Sequence, residues 1–200
     1  MSGIILAGGS SSRLGRDKAF IEIGGQRLID RVVSRLSEIS DTLIIVTNDT
    51  DKYSSFADRA VIAKDIVPGL GPLAGLQAGL AASSDDVNLI VSCDAPFLRQ
   101  PVLSYLVSNI DDADALVPRW DGRVHTLLAA YRKSCLPAIA AALSEKRLRL
   151  DSFFNDIVVE YTEESALYSL DPLGASFFNV NTKADASNAE RLSETYDKEI

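Results

Sequence analysis

The 200-residue chain is 46% hydrophobic and 24% charged, a composition that supports one substantial core and a single domain over residues 1–200. Its 28 acidic against 20 basic residues leave a formal charge of -8, which sets the whole-molecule field against nucleic-acid phosphates. Two cysteines, Cys93 and Cys135, are too few for a disulfide framework or a Cys/His metal cluster. The sequence carries neither a basic-then-apolar leader nor an apolar run of membrane-spanning length, so the expectation is a cytoplasmic protein that engages neither nucleic acid nor membrane.

An apolar run at residues 3–7 reads as a buried strand, and it feeds Gly8-Gly9-Ser10-Ser11-Ser12-Arg13-Leu14-Gly15-Arg16-Asp17-Lys18. Gly8 and Gly9 permit positive φ and close backbone approach, so N–H groups can converge on phosphate oxygens. Arg13, Arg16 and Lys18 add positive charge against an acidic background. The spacing fits neither a Walker A loop nor a dinucleotide fingerprint. Residues 20–23 before Gly24-Gly25 read as a short strand and turn outside the main sheet. Leu28, Ile29, Val32, Val33, Leu36 and Ile39 then form one helical stripe, which turns Arg27, Asp30, Arg31, Ser34, Arg35 and Glu38 outward.

Further apolar runs at residues 42–47, 60–63, 87–93 and 113–117 read as buried strands, with a helix start at Gly71-Pro72 between them. Residues 126–131 and 157–161 read as strands of an antiparallel extension, where an acceptor is expected to bind. Near the end, Thr182 followed three residues later by Asp185 is the mark of a capping box for a helix over 183–196. Strand and helix in alternation predict an α/β fold, three-layer α/β/α, with a mostly parallel Rossmann-like sheet.

Ligands in such folds bind outside the carboxyl ends of the strands. Asp94 follows the strand at 87–93, with Pro96 stopping it, and is the candidate metal ligand: Mg²⁺ takes one or two carboxylates together with substrate phosphates and water. Asn179 and Asn181 flank Val180, and Asn side chains orient phosphate or metal without adding charge. His125 is the sole histidine, and Trp120 offers a flat face nearby.

L-A-G-G-x-S-x-R-L-G-x-D-K over residues 6–18, Cys93-Asp94-Ala95-Pro96, Gly71-Pro72-Leu73-Ala74-Gly75 and Asn179-Val180-Asn181-Thr182 together resemble the molybdenum cofactor guanylyltransferase family. The resemblance implies a fold of the nucleotide-diphospho-sugar transferase type, Mg²⁺ on Asp94, and transfer of GMP from GTP to the phosphate of molybdenum-loaded molybdopterin with release of pyrophosphate. It implies catalytic roles for Arg13, Lys18, Asp94 and Asn181. For GTP it implies contacts from Leu6, Ala7, Gly8, Gly9, Lys18, Asn48, Asp65, Gly71, Gly75 and Asp94, with Gly71 to Gly75 against the base and Asp65 on base or ribose. His125, Arg123 and Asn179 fall on the acceptor side, near Arg119, Arg147 and Arg149. Transient contacts with cofactor-synthesis and acceptor enzymes are also implied. A cytidylyltransferase on the same cofactor, a transferase acting on a sugar phosphate or phospholactate, and a non-catalytic GTP-binding adaptor are the alternatives.

Overall fold

The computed structural model describes residues 1–8, 17–65 and 69–196. Gly9, Arg13 and Arg16 lie outside the described residues. The strands are β1 (Ser2–Leu6), β2 (Glu22–Ile23), β3 (Gln26–Arg27), β4 (Thr42–Val46), β5 (Val61–Ala63), β6 (Val87–Ser92), β7 (Ala115–Trp120), β8 (Arg123–Val124), β9 (Leu128–Arg132) and β10 (Val159–Thr162). The helices are α1 (Leu28–Ser37), α2 (Pro72–Ala82), α3 (Gln100–Ser108), α4 (Leu136–Ser144), α5 (Glu164–Tyr168) and α6 (Lys183–Tyr196).

The main sheet runs β10-β7-β9-β6-β1-β4-β5, with β8 hairpinned onto β7, while β2 and β3 pair separately as expected for residues 20–25. β1 is parallel to both β4 and β6, with Leu6 opposite Val46 on one side and Ser92 on the other. β5 continues the parallel set beyond β4.

The antiparallel element expected late in the chain is present, and one of its two strands differs in direction. The strand predicted at residues 126–131 is β9, and it lies inside the main sheet, antiparallel to both β6 and β7. The strand predicted at 157–161 is β10, parallel to β7. After β6, α3 carries the chain past one vacant strand position to β7, and the turn through β8 brings β9 back to fill that position. An alternating side-chain pattern specifies a pleat but not the direction of its neighbours.

Alternation along the strands divides the core into two layers. Ile5, Leu43, Ile45, Leu89, Val91, Leu116 and Ala130 face α1 and α3. Ile4, Leu6, Ile44, Val46, Ile90, Val117, Ala129 and Tyr131 face α2 and α4. Both faces of the central strands are therefore covered, as their continuous apolar runs require. On one face α2 approaches very closely: a Cβ on Gly79 would stand 2.5 Å from Ile4 Cγ2, so only a glycine lets the helix lie this near β1.

Arg31 departs from the outward stripe predicted for α1. It is 6% exposed, and its Nε and Nη2 donate to the Ile23 carbonyl at 3.0 and 2.7 Å. That carbonyl ends β2, where the hairpin packs against α1, and a buried backbone acceptor needs a donor. The side chain is drawn inward by that requirement.

A third, smaller cluster unites Ile23 and Leu28 with Phe97, Val180, Ala189 and Tyr196. Three segments distant in sequence meet there: the hairpin that follows residue 18, the turn that follows β6, and the approach to α6. Packing of this cluster brings Lys18, Asp94 and Asn181 to one place.

Candidate active site

The carboxyl ends of β1, β4, β5 and β6 are tied to one another beyond the ladders. Ala7 N donates to Val46 O at 2.9 Å, Thr47 N to Ala63 O at 2.9 Å, and Cys93 N to Leu6 O at 3.2 Å. Asp94 emerges one residue later, its backbone carbonyl accepting from Val180 N at 2.9 Å. Its side chain is 13% exposed and that of Lys18 25% exposed.

Lys18 Nζ donates to Asn181 Oδ1 at 2.6 Å and stands 3.5 Å from Asp94 Oδ2. Ser92 Oγ donates to Asp94 Oδ1 at 2.6 Å. Three of the predicted residues thus form one polar group, the cation between a carboxylate and an amide oxygen. Lys18 opens a short 3-10 turn, Lys18–Phe20, where the Asp17 side chain accepts from Ala19 N.

Asn181 is held from behind. Asp185 Oδ2 accepts from Asn181 N at 3.0 Å and Thr182 N at 2.7 Å, while Asp185 N donates to Thr182 Oγ1 at 3.1 Å. This is the predicted capping box, so Thr182 is a helix cap. Burial opposes ionisation of Asp185, but the donors on Asn181 and Thr182, with Lys18 beyond, together hold its carboxyl below the usual range. A depressed folded value contributes stability that is complete above the unfolded carboxyl value of about 3.9 and is lost as pH falls through the folded one. Asp185→Asn should therefore be less stable than wild type at pH 7, and the gap should close below about pH 4. Urea unfolding at stepped pH measures it.

A second group assembles beside the first. Asn48 Nδ2 donates to Asp65 Oδ2 at 2.8 Å, joining the segments after β4 and β5. A Cβ placed on Gly75 would lie 3.5 Å from Leu6 Cδ2 and 3.6 Å from Asp65 Oδ1, so Leu6, Asp65 and Gly75 adjoin one another, with Asn48 bonded to Asp65. Gly71 caps α2 at φ 77°, with Pro72 in its first turn. Gly8 is exposed, and among the described residues no atom beyond its chain neighbours lies within 4 Å of where its Cβ would stand.

The residues expected on the acceptor side stand with an aromatic cluster. His125 Nε2 lies 3.3 Å from Trp120 O, and its ring centroid is 4.7 Å from that of Phe177. Burial pushes its pKa down. Trp120 stacks on Phe177 at 5.1 Å and runs near-parallel to Tyr168 at 6.5 Å, so its indole is engaged by its own chain. Arg123 is exposed on β8 opposite Trp120, and Asn179 is exposed two residues after Phe177. Arg147 and Arg149 pair locally with Glu145, Asp156 and Asp151, and Arg119 lies 4.3 Å over the Tyr161 ring.

Residues outside the predicted set also shape the site. Ser92 fixes Asp94, and its one signal is a hydroxyl directly after the apolar run Leu89–Val91. Tyr53, fully buried, donates to Ala7 O at 3.4 Å and packs on Phe20 at 5.1 Å, so it touches both sides of the segment between residues 7 and 20. Nothing local in Thr50–Phe56 announces that contact. A cleft of 840 Å³ between α1, the β2–β3 hairpin and residues 96–101 is lined by Arg31, Arg35, Glu38 and Phe97, and by none of the predicted site residues.

Residues 3–158 match the MobA-like NTP transferase domain. The chain is 35% identical over 192 residues to a molybdenum cofactor guanylyltransferase of Desulfosudis oleivorans, covering 95% of this chain and 94% of that one. The crystal structure of molybdopterin-guanine dinucleotide biosynthesis protein A from Archaeoglobus fulgidus superimposes with a TM-score of 0.85 at 27% identity, over 98% and 100% of the two chains. A 4-diphosphocytidyl-2C-methyl-D-erythritol synthase from Anaerococcus prevotii has the same fold, with a TM-score of 0.70 at 15% identity over 96% and 97%. With a match that runs through the strand ends carrying Lys18, Asp65 and Asp94, the chain belongs to the MobA-like NTP transferases and, among them, to the molybdenum cofactor guanylyltransferase family.

Proposed function

We propose that Lys18, Asp94 and Asn181 form the reaction centre of a molybdenum cofactor guanylyltransferase, in which the phosphate of molybdenum-loaded molybdopterin attacks the α-phosphorus of GTP. A guanine dinucleotide form of the cofactor is made and pyrophosphate leaves. The single observation that carries this reading is the convergence of the three side chains within 3.5 Å at the carboxyl ends of β1 and β6. An anionic nucleophile needs no strong base. It needs relief of repulsion between two anions and stabilisation of the leaving group, which positioned charges provide.

Asp94 Oδ2 and Asn181 Oδ1 are hard oxygen donors, and one carboxylate beside substrate phosphates suits Mg²⁺. Bound there, the ion would neutralise charge on the transferring phosphate. Lys18 contributes a compact ammonium to the phosphates, leaving its present partners to do so. Gly8 leaves backbone open where the phosphates enter. Asp65 reads guanine N1–H and N2–H₂: Asn48 engages Oδ2, while Oδ1 lies beside Gly75, where the absence of a side chain favours approach of a flat ring. His125, Arg123 and Asn179 receive the pterin, with the His125 ring against Phe177. Transient contacts with enzymes that supply or accept the cofactor complete the reading.

Incubation with α-labelled GTP and molybdopterin, followed by chromatography of the pterin product, tests the reaction. Tight GTP binding with no pyrophosphate release would favour a binding adaptor instead. A melting panel of GTP, CTP, ATP and UTP tests the base, because a ligand that binds the native state raises its melting temperature. A shift with CTP alone would replace guanylyl by cytidylyl transfer. Asp65→Asn should weaken GTP binding by about 10-fold or more, the worth of a charge-assisted hydrogen bond, in a titration of intrinsic fluorescence.

A further inference from the structure

Ser92, Cys93, Asp94 and Ala95 form the turn that ends β6, with Ala95 N donating to Ser92 O at 3.4 Å. Ser92 therefore acts twice in four residues. Its carbonyl receives the turn's closing bond, and its hydroxyl donates to Asp94 Oδ1 at 2.6 Å. The other carboxylate oxygen, Oδ2, is the one that faces Lys18 Nζ at 3.5 Å.

This division has a physical consequence. A carboxylate free to rotate about its terminal torsion can turn both oxygens toward a neighbouring ammonium, and that torsion has a broad, soft well. The neighbour is present: Lys18 is held by Asn181 at 2.6 Å, within reach of Asp94. Unrestrained, the Asp94–Lys18 pair would tighten at the expense of any other cation. A hydroxyl on Oδ1 fixes the plane of the carboxylate and keeps Oδ2 on the side of Lys18 Nζ, from which Asn181 Oδ1 also accepts. Backbone anchoring by Val180 N at 2.9 Å places the Asp94 main chain but does not set that plane.

We infer that Ser92 is a positioning residue for the divalent cation, engaging Asp94 Oδ1 so that one carboxylate oxygen, Oδ2, is offered to the cation. The inference rests on the reading of Asp94 as the metal ligand. Groups that orient a metal-binding side chain typically contribute about 10–100-fold to metal affinity. For a single hydroxyl the low end applies.

The test is Mn²⁺ titration of the full chain in the presence of saturating GTP, followed by water-proton relaxation, with metal-free GTP binding measured separately. Ser92→Ala should weaken Mn²⁺ by about 10-fold and leave metal-free GTP binding unchanged, while Ser92→Thr, which keeps the hydroxyl, should match wild type. A merely structural role would move both affinities or neither. Wild-type Mn²⁺ affinity in Ser92→Ala, alongside loss of Mn²⁺ in Asp94→Asn, would overturn the role of Ser92 and leave the metal site standing. Wild-type Mn²⁺ affinity in Asp94→Asn would instead overturn the metal site itself, and the Ser92 inference with it. If Ser92→Ala does not fold, Ser92→Cys against Ser92→Thr decides: a weaker thiol variant supports the inference, and equal affinities overturn it.

Discussion

Asp94→Asn should lower kcat by about 10²–10³-fold with the fold intact, the usual cost of removing one preorganised electrostatic group from a reaction centre. The substitution is isosteric, and its backbone is anchored by Val180 N and the turn from Ser92, so melting temperature should hold while turnover falls. Lys18→Ala should reach the same range if, as proposed, its ammonium meets the phosphates. Because the two side chains and Asn181 form one connected group, the effects should not add. The double variant should be about as slow as the slower single one, as residues acting as a unit are. Steady-state pyrophosphate release with GTP and molybdopterin measures all three. Near wild-type turnover in Asp94→Asn at saturating Mg²⁺ would remove the metal assignment.

The largest effect on stability should come from a glycine remote from Asp94. Gly174 sits at φ 62°, a left-handed conformation that costs a side-chain-bearing residue about 1–2 kcal/mol. A Cβ there would also overlap the Trp120 indole, whose ring is held by the Phe177 stack and cannot simply swing aside. Overpacking of this kind costs about 1–3 kcal/mol. The two penalties have the same sign, so Gly174→Ala should lose about 2–5 kcal/mol, measured by urea unfolding. Trp120 is the sole tryptophan, so displacement of its ring should also change the native emission spectrum. An unchanged spectrum with full stability would mean that the ring has room the packing denies it.

Much of this fold is legible because buried strands announce themselves. The runs at residues 3–7, 42–47, 60–63 and 87–93 become β1, β4, β5 and β6 with ends shifted by a residue or so. Residues just after those strands carry the candidate chemistry, since an α/β sheet directs them to one edge. The insertion of β9 is not legible, because neither hydrophobic period nor length records which neighbours a strand will take. Arg31 is misread for a related reason. A helical stripe sorts residues by polarity, whereas Arg31 is buried by a carbonyl on another element. Lys18 and Asn181 lie 163 positions apart, and no local pattern predicts a 2.6 Å bond between them. What predicts it is the resemblance of both motifs to one family, a record of the fold rather than of local physics.

The hydrogen bond from Val180 N to Asp94 O ties the carboxyl-terminal part of the chain to the centre of the sheet. Synthesis runs from the amino terminus, so a chain still on the ribosome exposes Lys18 and then Asp94 long before Asn181 exists. Until Val180 has docked, the small cluster of Ile23, Leu28 and Phe97 lacks its last apolar partners, and the cation lacks its amide. Nascent chains therefore carry these strand ends without the Lys18–Asn181 bond. A chain cut before Val180 therefore lacks both the anchor on the Asp94 carbonyl and the amide that accepts from Lys18.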